Sequence, residues 1–321
     1  MPGEVPFWSM SANGWMRLEL RYLAALEAIA AAGSFGRAAE DLGYTQSAVT
    51  QQIAALERLV GQPLLERPGG SRPVTLTPAG ALILNHAEAV LSRIRIAEAQ
   101  LQTLAAGGAG KLRIGTFQST GVRILPAALA RLAETHPDVQ PEIREDSDEL
   151  VLLELVQQGR LDVTFCTLPA PEHELPTAEL VEDRFRLLVA AGSEWCEASV
   201  PLEALATLPM ITCGGCRTEQ RIEAYLRGLG IDLNRVAAAE DNGIIQAMVA
   251  LGTGAALLPD MAIDEADPRT VAVDFNAWLP PRRIAVAWHP DQEAAIAVQA
   301  FVAAAREVTA GQGRQLAPRP V

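Results

Sequence analysis

Three glycines, Gly33, Gly43 and Gly61, cut residues 18–61 into three segments of helical periodicity with almost no chain between them. That punctuation limits the region to short helices joined by tight turns. From Leu18 to Ala32 the apolar residues Leu20, Leu23, Leu26, Ile29 and Ala30 recur at three and four. Ser34 is placed to cap a second helix, Phe35 to Leu42, whose Ala38 and Ala39 are small enough for another helix to cross closely. Thr45 caps a third, with Ala48, Val49, Ile53, Leu56 and Leu59 inward and Gln46, Ser47, Thr50, Gln51 and Gln52 outward. Short helix, glycine turn, then a helix with a polar, uncharged outer face is the helix-turn-helix plan, in which the second helix of the pair reads base edges in the major groove. The bland alternative is a solvated amphipathic face.

After Gly61, residues 63–67 and 74–76 read as two short strands around a Pro/Gly-rich turn, a wing in which Arg67 and Arg72 lie beside phosphates or serve as solvated loop charges. Thr77 and Pro78 open a long helix. Its Ile83, Ala87, Val90, Ile94, Ala97, Leu101 and Leu104 alternate at spacings of four and three. Such a seam calls for a second copy of the helix, giving a homodimer or homotetramer, unless it packs on its own chain. Residues 1–16 read as a loose extension, 17–76 as the helix-turn-helix domain, 77–106 as the linker helix and 107–110 as a hinge.

From Lys111 onward strand-like and helix-like segments alternate, which predicts an α/β domain with largely parallel sheets over 111–308, followed by a disordered tail, 309–321. The net charge of −13 is unevenly spread: residues 1–110 hold 8 Lys and Arg against 9 Asp and Glu. The acidity therefore belongs to the C-terminal part, and no acidic residue lies between Tyr44 and Leu56, where a phosphate backbone would approach. No apolar run approaches the roughly 18 residues of a membrane span, and the first twenty residues lack a basic segment followed by an apolar one, so a cytoplasmic chain without membrane contact is expected. Four cysteines in 321 residues do not make a disulfide framework.

Residues 18–80 closely resemble the DNA-binding domain of LysR-type transcriptional regulators. The resemblance rests on Gly33-Ser34-Phe35, Ala38-Ala39, Leu42, the run Thr45 to Ile53, Leu56-Glu57 and Leu76-Thr77-Pro78-Ala79-Gly80 in the family's order and spacing. Where the family more often carries a basic residue this chain has Gln51, which leaves one phosphate or base contact open. Residues 111–308 resemble the family's effector domain, through Leu112-Arg113-Ile114-Gly115, Leu125-Pro126, Gly159-Arg160-Leu161-Asp162 and the run Val249 to Pro259. The resemblance implies an all-α winged helix-turn-helix with a long linker helix, then an α/β two-lobe domain like the type 2 periplasmic binding proteins. Lobe I would cover about 111–190 and 285–308, and lobe II about 191–284. It further implies double-stranded operator DNA and a small-molecule effector as partners, with RNA polymerase as an open third. On the DNA side the candidates are Ser34, Phe35, Arg37, Thr45, Gln46, Ser47, Thr50, Gln51, Arg67 and Arg72.

The turn Gln118-Ser119-Thr120 follows the first strand of the second half, so its hydroxyls and N–H groups converge on a ligand or merely cap a helix. Thr167 ends another strand, and Cys213, Arg217 and Asn242 would face it from the opposite lobe. The helix start at Ser119, with its N–H donors and positive dipole end, and Arg217 as a cation together make a small carboxylate the first expected effector, a surface salt bridge being the plainer role of Arg217. Cys213-Gly214-Gly215-Cys216 is a CxxC pair, either incidental or a redox dithiol. With no second CxxC and four scattered histidines, no metal is expected, and no cofactor. An enzyme is disfavoured because no phosphate loop, G-x-S-x-G elbow or metal motif occurs.

Overall fold

The structure, a computed structural model, describes residues 15–66, 73–105, 110–170, 173–196, 200–214, 216–275 and 278–312. The chain forms two compact units, Met1–Ala97 and Glu98–Val321. In the first, α1 (Leu20–Ala32), α2 (Phe35–Leu42) and α3 (Gln46–Val60) precede a two-stranded antiparallel ribbon of β1 (Leu65–Glu66) and β2 (Thr75–Leu76). α4 (Pro78–Ala105) follows, and the boundary between the units falls inside it. α2 stops where Gly43 turns left-handed (φ 68°), which frees the chain for α3 at no Cβ penalty. Leu26, Ile29, Val49, Ile53 and Leu56 are fully buried around the small Ala38 and Ala39. Each such side chain contributes about 1.5–3 kcal/mol by leaving water.

The ribbon is fixed to the helices by specific bonds. Glu57 accepts from the Leu64 N–H at 2.9 Å, and Thr77 donates to the Pro63 carbonyl at 2.8 Å while accepting from the Gly80 N–H at 3.0 Å. A Cβ at Gly80 would stand 2.0 Å from the Leu64 carbonyl oxygen, so only glycine lets α4 start this close to the ribbon. The expected seam of α4 divides. Ile83 and Ala87 pack into the helix-turn-helix core rather than toward a second helix, because the N-terminal turns of α4 cover α1–α3. Val90, Ile94 and Leu101 are 43%, 48% and 66% exposed, and Ala97 is exposed as well. The side chain of Leu104 lies outside the described residues, as do Arg67, Arg72, the N-terminal fourteen residues and hinge positions 107–109.

In the second unit the elements run β3 (Lys111–Thr116), α5 (Gln118–Arg123), α6 (Leu125–Thr135), β4 (Gln140–Glu145), α7 (Glu149–Gln157), β5 (Val163–Leu168) and β6 (Thr177–Asp183). Then come β7 (Phe185–Ala190), β8 (Met210–Thr212), α8 (Arg217–Gly228), β9 (Arg235–Ala238), α9 (Asn242–Ala250), β10 (Ala256–Pro259), β11 (Thr270–Asp274), β12 (Arg282–Trp288) and α10 (Ile296–Gln312). One sheet has the order β4-β3-β5-β12-β6, a second β10-β7-β11, and β8 pairs with β9. Strand alternation puts Val163, Phe165, Ile284 and Val286 against α6 and α10, with the Phe165 and Phe301 rings edge to face at 5.9 Å. Cys166, Ala285 and Ala287 face Leu153 of α7 on the other side.

Three expectations are corrected. The sheets are not largely parallel: β3–β4, β3–β5 and β8–β9 are parallel, whereas β12 pairs antiparallel with β5 and β6, and β7 antiparallel with β10 and β11. β7 belongs to the second sheet and Arg282 already to the first, so the chain crosses at residue 184 and again between β11 and β12 instead of at 190 and 285. The C-terminal helix continues past Val308 to Gln312, where Thr309 is buried and bonds back to the Ala305 carbonyl; residues 313–321 lie outside the described residues.

Candidate DNA interface and effector cleft

The start of α3 is built by Thr45, whose hydroxyl accepts from the Ala48 N–H at 3.2 Å and lies 3.1 Å from that of Ser47. Gln46, Ser47 and Gln51 are exposed. Thr50 is half-buried and donates to the Gln46 carbonyl at 2.8 Å, which leaves its oxygen free to accept only. Gln52, expected outward, is buried, because it stands three residues after Val49 and four before Leu56 on the core face. Ser34 occupies the N-cap of α2 without making a side-chain cap bond, Phe35 packs against the helical core, and Arg37 is exposed. The first turn of α3 carries no acidic residue, so its N–H groups and positive dipole end face no competing anion of their own segment.

In the second unit a cleft of about 300 Å³ opens between the two sheets, with Gln118, Ser119, Cys213, Arg217 and Asn242 in its wall. Gln118 spans it: its amide donates to Asp241 at 2.7 Å and accepts from the Asn242 N–H at 2.8 Å. Thr120 is not in the wall. It is fully buried, 3.0 Å from the Thr116 hydroxyl and donating to the Phe117 carbonyl, and so completes a turn. Thr167 lies behind the wall, its hydroxyl 2.6 Å and its N–H 3.0 Å from the oxygens of Glu149. Arg217 is not a cation waiting for a ligand: it is buried with Glu149 at 3.0 Å and donates to the Pro169 carbonyl at 3.2 Å. The carboxylate expectation thereby loses its cation and keeps only the helix start at Ser119.

Residues remote in sequence complete the site. Arg282 donates to the Ser119 hydroxyl at 2.7 Å, pairs with the buried Asp183 at 2.6 Å and stacks over the Phe117 ring at 5.7 Å. It stands where β12 begins, and nothing local in Pro280-Pro281-Arg282-Arg283 marks it as a cleft residue. Cys216 caps α8 and donates its N–H to the Cys213 carbonyl at 3.0 Å, so both thiols line the same wall. The Cys213 S–H donated to the Cys216 sulfur holds Cys216 below the ordinary thiol value against the opposing effect of burial; the same bond, with burial, pushes Cys213 up. Burial first, and the neighbouring Glu149 carboxylate second, push the Cys166 thiol up to about 12 and leave it inert. Among the described residues no group of three or more His, Cys, Asp or Glu side chains is placed to hold a metal ion.

A winged helix-turn-helix followed by a two-sheet domain with a ligand-sized cleft defines a one-component, ligand-responsive DNA-binding regulator. Residues 20–81 match the bacterial regulatory helix-turn-helix protein, lysR family, and residues 105–310 the LysR substrate binding domain. The chain belongs to the LysR family and is a DNA-binding transcriptional regulator of that type, modulated by an effector. A probable hydrogen peroxide-inducible genes activator of Mycobacterium avium is 32% identical over 82% of this chain and 85% of its own. A full-length OxyR variant from Pseudomonas aeruginosa is 25% identical at TM-score 0.63, over 90% of this chain and 98% of that one. An OxyR cysteine mutant from Corynebacterium glutamicum is 26% identical at TM-score 0.57, over 95% and 97%. Among the described residues no helix is long and apolar enough to cross a membrane.

Proposed function

We propose that Gln46, Ser47, Thr50 and Gln51 read operator bases, with Ser34, Arg37, Thr45, Arg67 and Arg72 on the phosphate backbone, and that the effector sits in the cleft of the second unit. The protein works in the cytoplasm as an oligomer joined along α4 and catalyses no reaction. The observation that carries the effector reading is the set of polar ties across the cleft, Gln118 to Asp241 and Asn242 and Arg217 to Glu149. A ligand entering there alters ties that hold the two sheets together, and it shifts the regulator only if one arrangement binds it better. Gel shifts on the DNA upstream of its own gene test the reading helix. Gln46→Ala with Thr50→Ala should abolish retardation while the circular dichroism spectrum is unchanged; retained binding removes α3 from that role.

A second reading is favoured by the Cys216 thiol, which is biased toward thiolate beside Cys213. Peroxide attacked by the Cys216 thiolate would form an S–O bond as the O–O bond breaks, releasing water after protonation; Cys213 would then displace water from that sulfur to give a disulfide. The name of the Mycobacterium avium relative is in keeping with this. Peroxide that leaves DNA binding unchanged, or a response that survives Cys216→Ser, would remove it.

A further inference from the structure

The walls of the cleft carry five carboxylates, Asp148, Glu149, Glu219, Glu223 and Glu240, against the guanidiniums of Arg217 and Arg282. Both cations are already matched by buried carboxylates, Arg217 by Glu149 at 3.0 Å and Arg282 by Asp183 at 2.6 Å. Glu219 and Glu223 share the half-exposed Arg235, which is 3.8 Å from Glu219. Asp148 and Glu240 stand exposed with no ion pair among the described residues. A second, independent observation comes from Thr212, which ends β8 in the cleft wall. Its residue is only 6% exposed, yet its hydroxyl has no hydrogen-bond partner among the described residues. A buried hydroxyl left unmatched is costly, and in a cavity wall it marks where a ligand's polar group is received. Glu240 is next to it: the Ala239 N–H donates to the Thr212 carbonyl at 3.0 Å, and the Glu240 side chain lies beside Gly214. Phe185, Met210, Ile222, Leu233 and Leu257 supply apolar surface.

We propose that the cleft takes a small organic amine, its ammonium received by Glu240 and the Thr212 oxygen and its apolar body by the leucine and phenylalanine side chains. This rests on the reading that the effector binds in the cleft and names its class. An ammonium brings three donors and no acceptor, which suits walls made of acceptors. A carboxylate ligand brings acceptors only, to a wall whose cations are spent, and meets repulsion instead.

Two matched pairs of probes with equal apolar bodies and opposite charge test this on the full-length protein: 2-phenylethylamine with 3-phenylpropanoate, and butylamine with pentanoate. Calorimetric titration should show at least one amine binding about tenfold or more tighter than its carboxylate partner. Glu240→Gln, an exposed isosteric change, and Thr212→Val should each weaken that amine, with unchanged far-ultraviolet spectra. A carboxylate that binds tighter than its amine and is weakened by Thr212→Val overturns the amine while leaving the cleft as the effector site. Amine binding indifferent to both variants overturns the assignment to Glu240 and Thr212, and the cleft reading falls with it only if Gln118→Ala is without effect as well. No binding by either amine also overturns the proposal, and in that case the gel shift with the α3 variant still judges the DNA-binding reading separately.

Discussion

Glu149 shows how a single buried charge organises the second unit. It is 5% exposed, accepts from the Thr167 hydroxyl and N–H, and faces the Arg217 guanidinium at 3.0 Å. Burying ions costs several kcal/mol each, and the pair is tolerable because both partners and the surrounding donors are matched. Glu149→Gln should therefore destabilise the protein by about 3–5 kcal/mol, since it strands a buried guanidinium; a urea midpoint within experimental error of wild type would show that solvent reaches the pair. Cys216 offers a pH test of the same wall. Its folded value lies below the ordinary thiol range, so at neutral pH more of it is thiolate than of a free cysteine. Alkylation by iodoacetamide should accordingly rise with pH at a lower midpoint for Cys216 than for a model thiol, and Cys213→Ala should move that midpoint upward by removing the donated S–H. An unshifted midpoint in that variant would mean the hydrogen bond does not set the reactivity.

At the scale of elements, the seam of α4 is the exposed feature that asks for a partner. Val90, Ile94 and Leu101 lie uncovered along it, whereas the N-terminal turns are already packed. Ile94→Glu should lower the light-scattering mass of the protein without unfolding it, because an interface there would bury an unpaired carboxylate; an unchanged mass would place the interface elsewhere. The helices of the first unit are legible in the sequence because caps, glycine stops and periodicity all agree there. Gln52 is the exception: its polarity argues for an outward position, but its spacing puts it on the same face as Val49 and Leu56. The strands that the sequence does not announce, β6, β9 and β11, all lie at sheet edges. Edge strands bury little, so Thr177–Asp183 carries the exposed Glu179 and Glu182 and Arg235–Ala238 is mostly exposed, and neither shows an apolar alternation. Strand direction is not legible either, since a buried strand reads the same in parallel and antiparallel ladders. In the cleft, Gln118, Ser119, Cys213, Arg217 and Asn242 follow from turn and strand-end positions. Which of them are already paired depends on Glu149, Asp183 and Arg282, whose meeting is a matter of tertiary structure.

For the molecule as a whole, charge is segregated along the chain, and this sets how its DNA binding responds to salt. The first 110 residues are nearly balanced, with 8 basic and 9 acidic residues, and the remaining chain holds 18 against 30. Attraction to phosphate must therefore come from a few local cations, for which Arg37, Arg67 and Arg72 are the candidates in the helix-turn-helix and its wing. Other charges act only weakly, because screening at physiological ionic strength extends about 8 Å. With each neutralised phosphate contributing about −0.9 to the slope of log K against log salt, three phosphates neutralised by each of two reading heads give a slope of about −5. Under the proposed reading, base contacts by Gln46, Ser47 and Gln51 would add affinity that salt does not screen. Fluorescence anisotropy across a salt series should give that shallow slope, and Arg37→Ala should flatten it by about 2 units, since each head then neutralises one phosphate fewer. The same substitution should weaken operator and unrelated DNA alike, whereas Gln46→Ala should weaken the operator selectively and leave the slope unchanged. A slope near about −10 would demand more neutralised phosphates than these three arginines supply, and would move the backbone-binding role onto residues outside the reading head.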